Sequence, residues 1–407
     1  MKQLFWSAIF ICFYMNLHAQ PYTIDDLEAQ FLRRNGELLA VKYNINIADA
    51  EVIQERLWQN PSFAIKEINF LKKYENQDKQ FTLELEQLIE TASKRKKRVV
   101  LKELSKKSAL IDYEELLREL KKELKVAYNN LLRIEKEEKQ LVAVVDLFTN
   151  LSEQYKRQSS LNNIPKAEYF RIQTELIGYE KELIDLENQK FESLNTVRII
   201  TFNPEIDFNQ IVFVDSKEKL SSKIPLDILE IAKEQNIELM RQSNEINMAN
   251  KTLELEKSER IPNLTLGVNY DKGFRHNNSV VGLGVTFDLP ILNLNKGNIK
   301  AAKFAIDQEL KNKDVVENTL YQTIEQLQKQ LLRLEKILAS WEETNNTKEQ
   351  QILIDNYKKH LQNKQVNLVE FLDFTEAFRQ ANQAYLEIEE TYNNTFQELQ
   401  YLVGKDF

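Results

Sequence analysis

The sequence predicts a mainly α-helical protein built by internal duplication, each copy carrying one β-hairpin between helices too long for a single globular core. Three observations predict it. Leu110, Tyr113, Leu117, Leu120, Leu124, Ala127, Leu131 and Ile134 step by three and four, the spacing of a coiled-coil seam. Between Arg260 and Lys300 the pattern changes to period two, with Leu264, Leu266, Val268 and Tyr270, then Val281, Leu283, Val285, Phe287 and Leu289, alternating with small or polar residues. Finally, one half of the chain copies the other. Asn35, Glu37 and Leu38 recur as Asn236, Glu238 and Leu239, and Pro61 as Pro262, at an offset of 201; past the first hairpin Lys94 recurs as Lys296, at 202.

The elements follow in order. Lys2, an apolar run from Leu4 to Leu17 and Ala19 before Gln20 read as a signal peptide over residues 1–19, which marks the protein for export. Helix is expected from Thr23 to Trp58, with Asp25 and Asp26 favourable at its start and Asn60-Pro61 as its stop. Ser62–Leu71 is a weaker strand, because its apolar phase slips between Ile65 and Ile68, as at a β-bulge. Phe81, Leu83 and Leu85 alternate better. A helix from Ala92 to Arg157 would run on the order of 100 Å at about 1.5 Å per residue. Leu141, Val145 and Phe148 extend its seam, SSLNNIP ends it, and Pro165 suits the start of the next helix, which runs towards Arg198. The second copy repeats this order. Its seams run from Leu320 to Trp341 and from Phe371 to Tyr392. The expected divisions are a first repeat over 20–203 with its hairpin at 61–90, a connector over 204–223, and a second repeat over 224–407 with its hairpin at 262–291.

Composition narrows the function. With 63 acidic against 55 basic residues the net charge is −8, which disfavours nucleic acid as a partner. The only cysteine, Cys12, lies in the expected signal, so disulfides and thiol chemistry drop out of the exported chain. No nucleophile–base, metal-ligand or phosphate-loop pattern occurs, so neither an enzyme, a cofactor nor a metal site is expected. Apart from the signal no apolar run approaches the ~20 residues of a spanning helix, so any membrane crossing falls to strands. A single hairpin of this kind reads most simply as soluble. Two copies at equivalent places between long helices suggest a shared barrel, apolar outside and small or polar within.

The runs RIPNLTLGVNY, VGLGVTFDLPILNLNKGNIKAAK and VNLVEFLDFTEAFRQANQAYLEIEETYNNTFQELQYLVG resemble the TolC family of outer-membrane efflux channels. The first-copy segment LEQLIETASKRKKR resembles the cation-efflux members, although Leu88 replaces a common proline and SSLNNIP lacks a common glycine. The resemblance implies a homotrimer. Four strands per protomer would make a twelve-stranded outer-membrane β-barrel in contact with lipid, and coiled-coil helices a trimeric α-barrel across the periplasm. A periplasmic adaptor and an inner-membrane pump, of the resistance-nodulation-division type, would be its partners.

Leu161, Asn162, Asn163, Ile164 and Pro165, with Asn363, Lys364, Gln365 and Val366, would then form a tip that contacts the adaptor; the plainer reading is two connecting loops. Glu370 and Asp373, repeated by threefold symmetry, would make an acidic constriction ring, with Glu168 as a further layer. A solvated acidic helix face is the alternative. Lys94, Arg95, Lys97 and Arg98 are expected to keep a helix surface wet below the barrel, and Phe274, Arg275 and His276 to lie in the outer hairpin loop. Metal cations are the cargo suggested; a type I secretion duct and a periplasmic coiled-coil scaffold or adaptor are the rival readings.

Overall fold

A computed structural model describes residues 21–70, 78–214, 218–273, 279–344, 347–363 and 365–407. The expected signal peptide, Phe274, Arg275, His276 and Lys364 therefore lie outside the described residues. The described elements are α1 (Ile24–Arg34), α2 (Gly36–Glu55), β1 (Ser62–Phe70), β2 (Asp78–Ile89), α3 (Lys94–Ser160) and α4 (Lys166–Thr201). After two 3₁₀ turns come α5 (Ile228–Gln235), α6 (Ile237–Ser258), β3 (Leu264–Gly273), β4 (Ser279–Thr286), α7 (Lys296–Thr344), α8 (Thr347–Gln362) and α9 (Leu368–Val403). Two compact units result, and each draws on both copies of the duplication. One comprises the chain up to Leu38 with Leu117–Ile228 and Thr323–Phe407; the other comprises Leu39–Leu116 and Leu229–Gln322.

The first helix is not continuous, as periodicity had implied. Asn35 breaks it with an extended backbone, φ −60° and ψ 115°. Its Oδ1 accepts from the Leu38 N–H at 2.7 Å and its Nδ2 donates to the Ile200 carbonyl at 2.9 Å. The duplicate residue does the same work: Asn236 accepts from the Leu239 N–H at 2.9 Å between α5 and α6. Asparagine is a strong N-cap because its short side chain reaches an amide that the first helical turn leaves unpaired. Helix α2 ends at Glu55, short of Trp58.

The seam of α3 is core, with Leu124, Leu131, Ile134 and Phe148 at 0% exposure. Its first residue is shifted: Leu110 is 45% exposed and Ile111, at 3%, takes the buried place. Each such side chain contributes about 1.5–3 kcal/mol on burial. At one end of the first unit Phe148 and Phe371, with ring centroids 6.3 Å apart, centre a core that includes Ile172, Tyr179, Leu361 and Leu368.

In the second unit the four strands form one antiparallel sheet in the order β1-β2-β3-β4. β1 pairs residue for residue with β2 from Ser62↔Glu86 to Phe70↔Asp78, so no bulge occurs at the phase slip. The ladder keeps its register and simply places Glu67 among the apolar positions. The registers align whole rows. Phe63, Leu85, Val268 and Leu283 stand side by side across all four strands, as do Ile65, Leu83, Tyr270 and Val281. On the opposite face the rows read Ala64, Glu84, Asn269, Gly282 and Ser62, Glu86, Gly267, Gly284. At Gly282 a Cβ would come within 2.2 Å of Asn269 Oδ1, so glycine makes room for a polar neighbour. Pairing stops at Thr286, leaving Phe287 and Leu289 outside the strand that their alternation predicts.

Candidate functional site

Both helical turns are built alike, and neither contains a glycine. At the end of α3 the Asn163 N–H donates to the Gln158 carbonyl at 2.9 Å, across Asn162 at φ 58°. At the end of α8 the Gln365 N–H donates to the His360 carbonyl at 2.9 Å, at the equivalent positions 202 residues on. This six-to-one bond defines a Schellman ending, and asparagine tolerates the left-handed conformation it needs. The same pairs also meet through their side chains, Asn163 with Gln158 at 2.8 Å and Gln365 with His360. The described residues of the turns present most of their side chains outward. Leu161 is 66% exposed, Asn162, Asn163, Pro165, Asn363 and Gln365 are exposed, and Ile164 and Val366 are half-buried. Pro165 sits one place earlier than the first helical turn, as the N-cap of α4.

Glu370 and Asp373 lie three residues apart near the start of α9, both exposed. Glu370 already has a local task. Its carboxylate accepts from the Asn367 N–H at 3.2 Å while Asn367 Oδ1 accepts from the Glu370 N–H at 2.9 Å, a reciprocal capping box. Glu168 is half-buried. The basic group is not a simple wet surface. Lys94 is buried, donating to the Ile261 carbonyl at 2.6 Å and to Asn263 Oδ1 at 2.9 Å. Arg98 pairs with Glu55 and Glu90, each at 2.7 Å, and Arg95 lies over the Trp58 ring at 3.9 Å. Lys97 is half-buried.

Two features of the first unit were not foreseen. One is a charged network beside a groove of about 450 Å³ lined by Glu137, Glu182, Thr375, Phe378, Arg379 and Asn382 among others. Arg379 pairs with Glu182 at 2.9 Å and Glu376 at 3.0 Å; Arg133 pairs with Glu137 and, at 2.7 Å, with Glu390. Burial pushes the Glu137 and Glu182 carboxyls up, against the pull of the two arginines. The hydrogen bond from Arg379 holds Glu376 below its ordinary value. A lowered folded value stabilises above the unfolded one, near 4.5, and that contribution is lost as pH falls through it. Raised groups such as Glu137 act in the opposite sense, losing their contribution as pH rises. Glu376→Gln is therefore expected to blunt the loss of thermal stability on acidification from neutral pH to below about 4.5, as read from circular-dichroism melts. Melts as acid-sensitive as the parent's would refute it.

The other feature is a helix apolar on two sides. Along α4, Ile172, Tyr179 and Leu186 are buried at 0%, 3% and 4% exposure. A second series at the same seven-residue spacing, Phe170, Ile177, Ile184 and Phe191, is 60%, 66%, 58% and 57% exposed. The series are two residues apart, about 200° around a helix with 3.6 residues per turn, so they lie on opposite faces. The signal was available in the sequence as two interleaved heptads.

Scans against protein-family models and against curated proteins found no match. Solved structures define the class of fold, that of TolC-type outer-membrane channels. Crystal structures of CusC, described in terms of folding and transmembrane channel formation, match with a TM-score of 0.79 and 13% identity, over 94% of this chain and 92% of that one. The Campylobacter jejuni CmeC outer membrane channel matches at 0.76 and 15% identity, over 94% and 85%. The Vibrio cholerae outer membrane protein VceC matches at 0.76 and 12% identity, over 94% and 96%. The expected combination of long helices with a four-stranded antiparallel sheet is the observed one.

Proposed function

We propose that this chain is the outer-membrane channel of a tripartite efflux system, conducting solutes passively from periplasm to exterior when an adaptor and an inner-membrane pump engage it. The observation that carries the reading is the sheet. The rows Phe63, Leu85, Val268, Leu283 and Ile65, Leu83, Tyr270, Val281 are apolar on one face while the other face is small or polar, the apolar face is exposed (Leu283 is 85% exposed), and among the described residues both edge strands are open. Lipid does not tolerate an open edge, so such a sheet is useful in a bilayer only as a segment of a closed barrel. Among the described residues no helix is long and apolar enough to cross a membrane. The fold shared with channels supports three copies per barrel, and the exposed heptad of α4 supplies an apolar face for a neighbouring copy. In this reading the two Schellman turns meet the adaptor, and the energy comes from a pump of the resistance-nodulation-division type. Metal cations are the cargo to test first, on the likeness of the segment preceding Arg98 to cation-efflux channels.

Planar-bilayer conductance tests the duct and the acidic ring together. The parent protein is expected to give stable, cation-selective steps. Glu370→Gln with Asp373→Asn should abolish the selectivity and leave the far-ultraviolet spectrum unchanged, because glutamine also serves in a capping box. Selective steps that survive the double change would retain the duct and discard the ring. A protein that ignores bilayers and gives no steps would instead be a periplasmic scaffold.

A further inference from the structure

Four asparagines are buried among the described residues, and three of them bond within the fold. Asn35 and Asn236 cap helices, and Asn244 donates to the Leu104 carbonyl at 3.0 Å and to Ser108 Oγ at 2.8 Å. The fourth, Asn382, is 7% exposed and has no hydrogen-bond partner among the described residues. It belongs to the buried side of α9 with Thr375 and Leu386, and its side chain lines the groove of about 450 Å³ described above. An unpaired buried amide is costly, and a leucine in this stripe would avoid the cost. A ligand in the groove would give the amide a partner.

The rest of the lining says what kind of ligand fits. The volume is within the range of small-molecule sites, about 300–1,000 Å³. Leu141 and Leu147, at 5% and 9% exposure, form an apolar wall with Val144 and Phe378. Charge on the lining is not evenly matched. Arg133 pairs with Glu137 and Glu390, and Arg379 with Glu182 and Glu376, so two guanidinium groups are shared among four carboxylates. Lys139 is taken by Glu135 at 2.8 Å, and the remaining lining charges, Lys358 and Asp146, cancel in number. Burial raises Glu137 and Glu182, and repulsion from Glu387 and Glu376 adds to it. A cation placed beside these two carboxylates offsets both effects.

We propose that this groove binds an amphipathic organic cation, with its ammonium group against Glu137 and Glu182, its apolar body along Leu141, Val144, Leu147 and Phe378, and a polar atom on the Asn382 amide. The site lies within one unit of a single chain, so it does not rest on the channel reading. The full chain in a nonionic detergent, dialysed to equilibrium against naphthylethylammonium with detergent alone as the blank, tests it. Naphthylacetate, with the same rings and the opposite charge, is the comparison. Saturable binding of the cation and none of the anion is expected. Asn382→Leu keeps the volume, removes the amide and should weaken binding by about fivefold. Glu182→Gln should weaken it by about tenfold, since a hydrogen bond to a charged group is the stronger kind. Circular-dichroism melts identify a variant that fails to fold, and the other variant then decides. Binding unchanged in a folded variant overturns the location. Preference for naphthylacetate overturns the ligand class, and the absence of saturable binding by either compound overturns the site.

Discussion

If copies of the chain assemble as proposed, replacing Ile177 and Ile184 together by lysine is expected to dissociate the oligomer into folded monomers. The two side chains are 66% and 58% exposed in the single chain, on the face of α4 opposite Ile172, Tyr179 and Leu186. If a neighbouring copy covers that face, each isoleucine contributes about 1.5–3 kcal/mol on burial, and the loss recurs at every interface around a ring. The substitution does more than remove this. An ammonium group carried into an apolar seam without a partner costs several kcal/mol unless it snorkels out, and a helix packed over its length restricts that escape. Far-ultraviolet circular dichroism should be unchanged, because neither residue contributes to the core of the unit. Native mass measurement in detergent should change from the oligomer to the single chain. Ile172→Lys makes the contrast: it attacks the buried face and should unfold the end of the unit first. An oligomer indifferent to both exposed-face lysines would mean that α4 faces solvent in the assembly.

Much of the architecture was legible because it is periodic. Heptads fixed the long helices, alternation fixed the strands, and the offsets of 201 and 202 related the two hairpins, whose registers obey those offsets. What escaped notice was decided by single atoms. The break at Asn35 leaves hydrophobic periodicity almost untouched, since one residue changes conformation while a side-chain oxygen replaces a helical bond. Recurrence of the asparagine at 236 was a clue to shared geometry, but nothing in the pattern said that the geometry was a cap. Strand ends were misjudged for a different reason. Alternation continues through Leu289, and pairing stops at Thr286 because β3 begins at Leu264. A strand needs a partner, and a partner is not a property of one segment. Lys94 shows the same limit for charge: composition marks a basic residue as solvated, whereas two carbonyl-type acceptors within 3 Å and the Glu259 carboxylate at 3.3 Å let it be buried. The residues joining α3 to α4 and α8 to α9 were legible as turns. That both turns close with the same Schellman bond required the structure.

Phe371→Ala should loosen the end of the helical unit that carries both turns. Phe371 is wholly buried, its N–H donates to the Asn367 carbonyl at 3.1 Å, and its ring lies 6.3 Å from Phe148 and 6.4 Å from Tyr357. Removing a buried phenyl ring costs about 3–5 kcal/mol, because the transfer energy is lost and a cavity remains. Long helices do not share that cost evenly. Local opening draws on the nearest contacts, so the change should be felt in α8 and the first turns of α9 before it reaches the sheet. Amide exchange there is expected to accelerate by about two to three orders of magnitude, at roughly tenfold per 1.4 kcal/mol, with exchange in β2 and β3 unaltered. Asp373→Asn, at an exposed position on the same helix, should leave the rates as they are. A uniform acceleration across both units would mean that they unfold as one, and an unchanged rate in α9 would show that Tyr357 and Phe374, stacked with centroids 4.2 Å apart, hold the turn without the Phe371 ring.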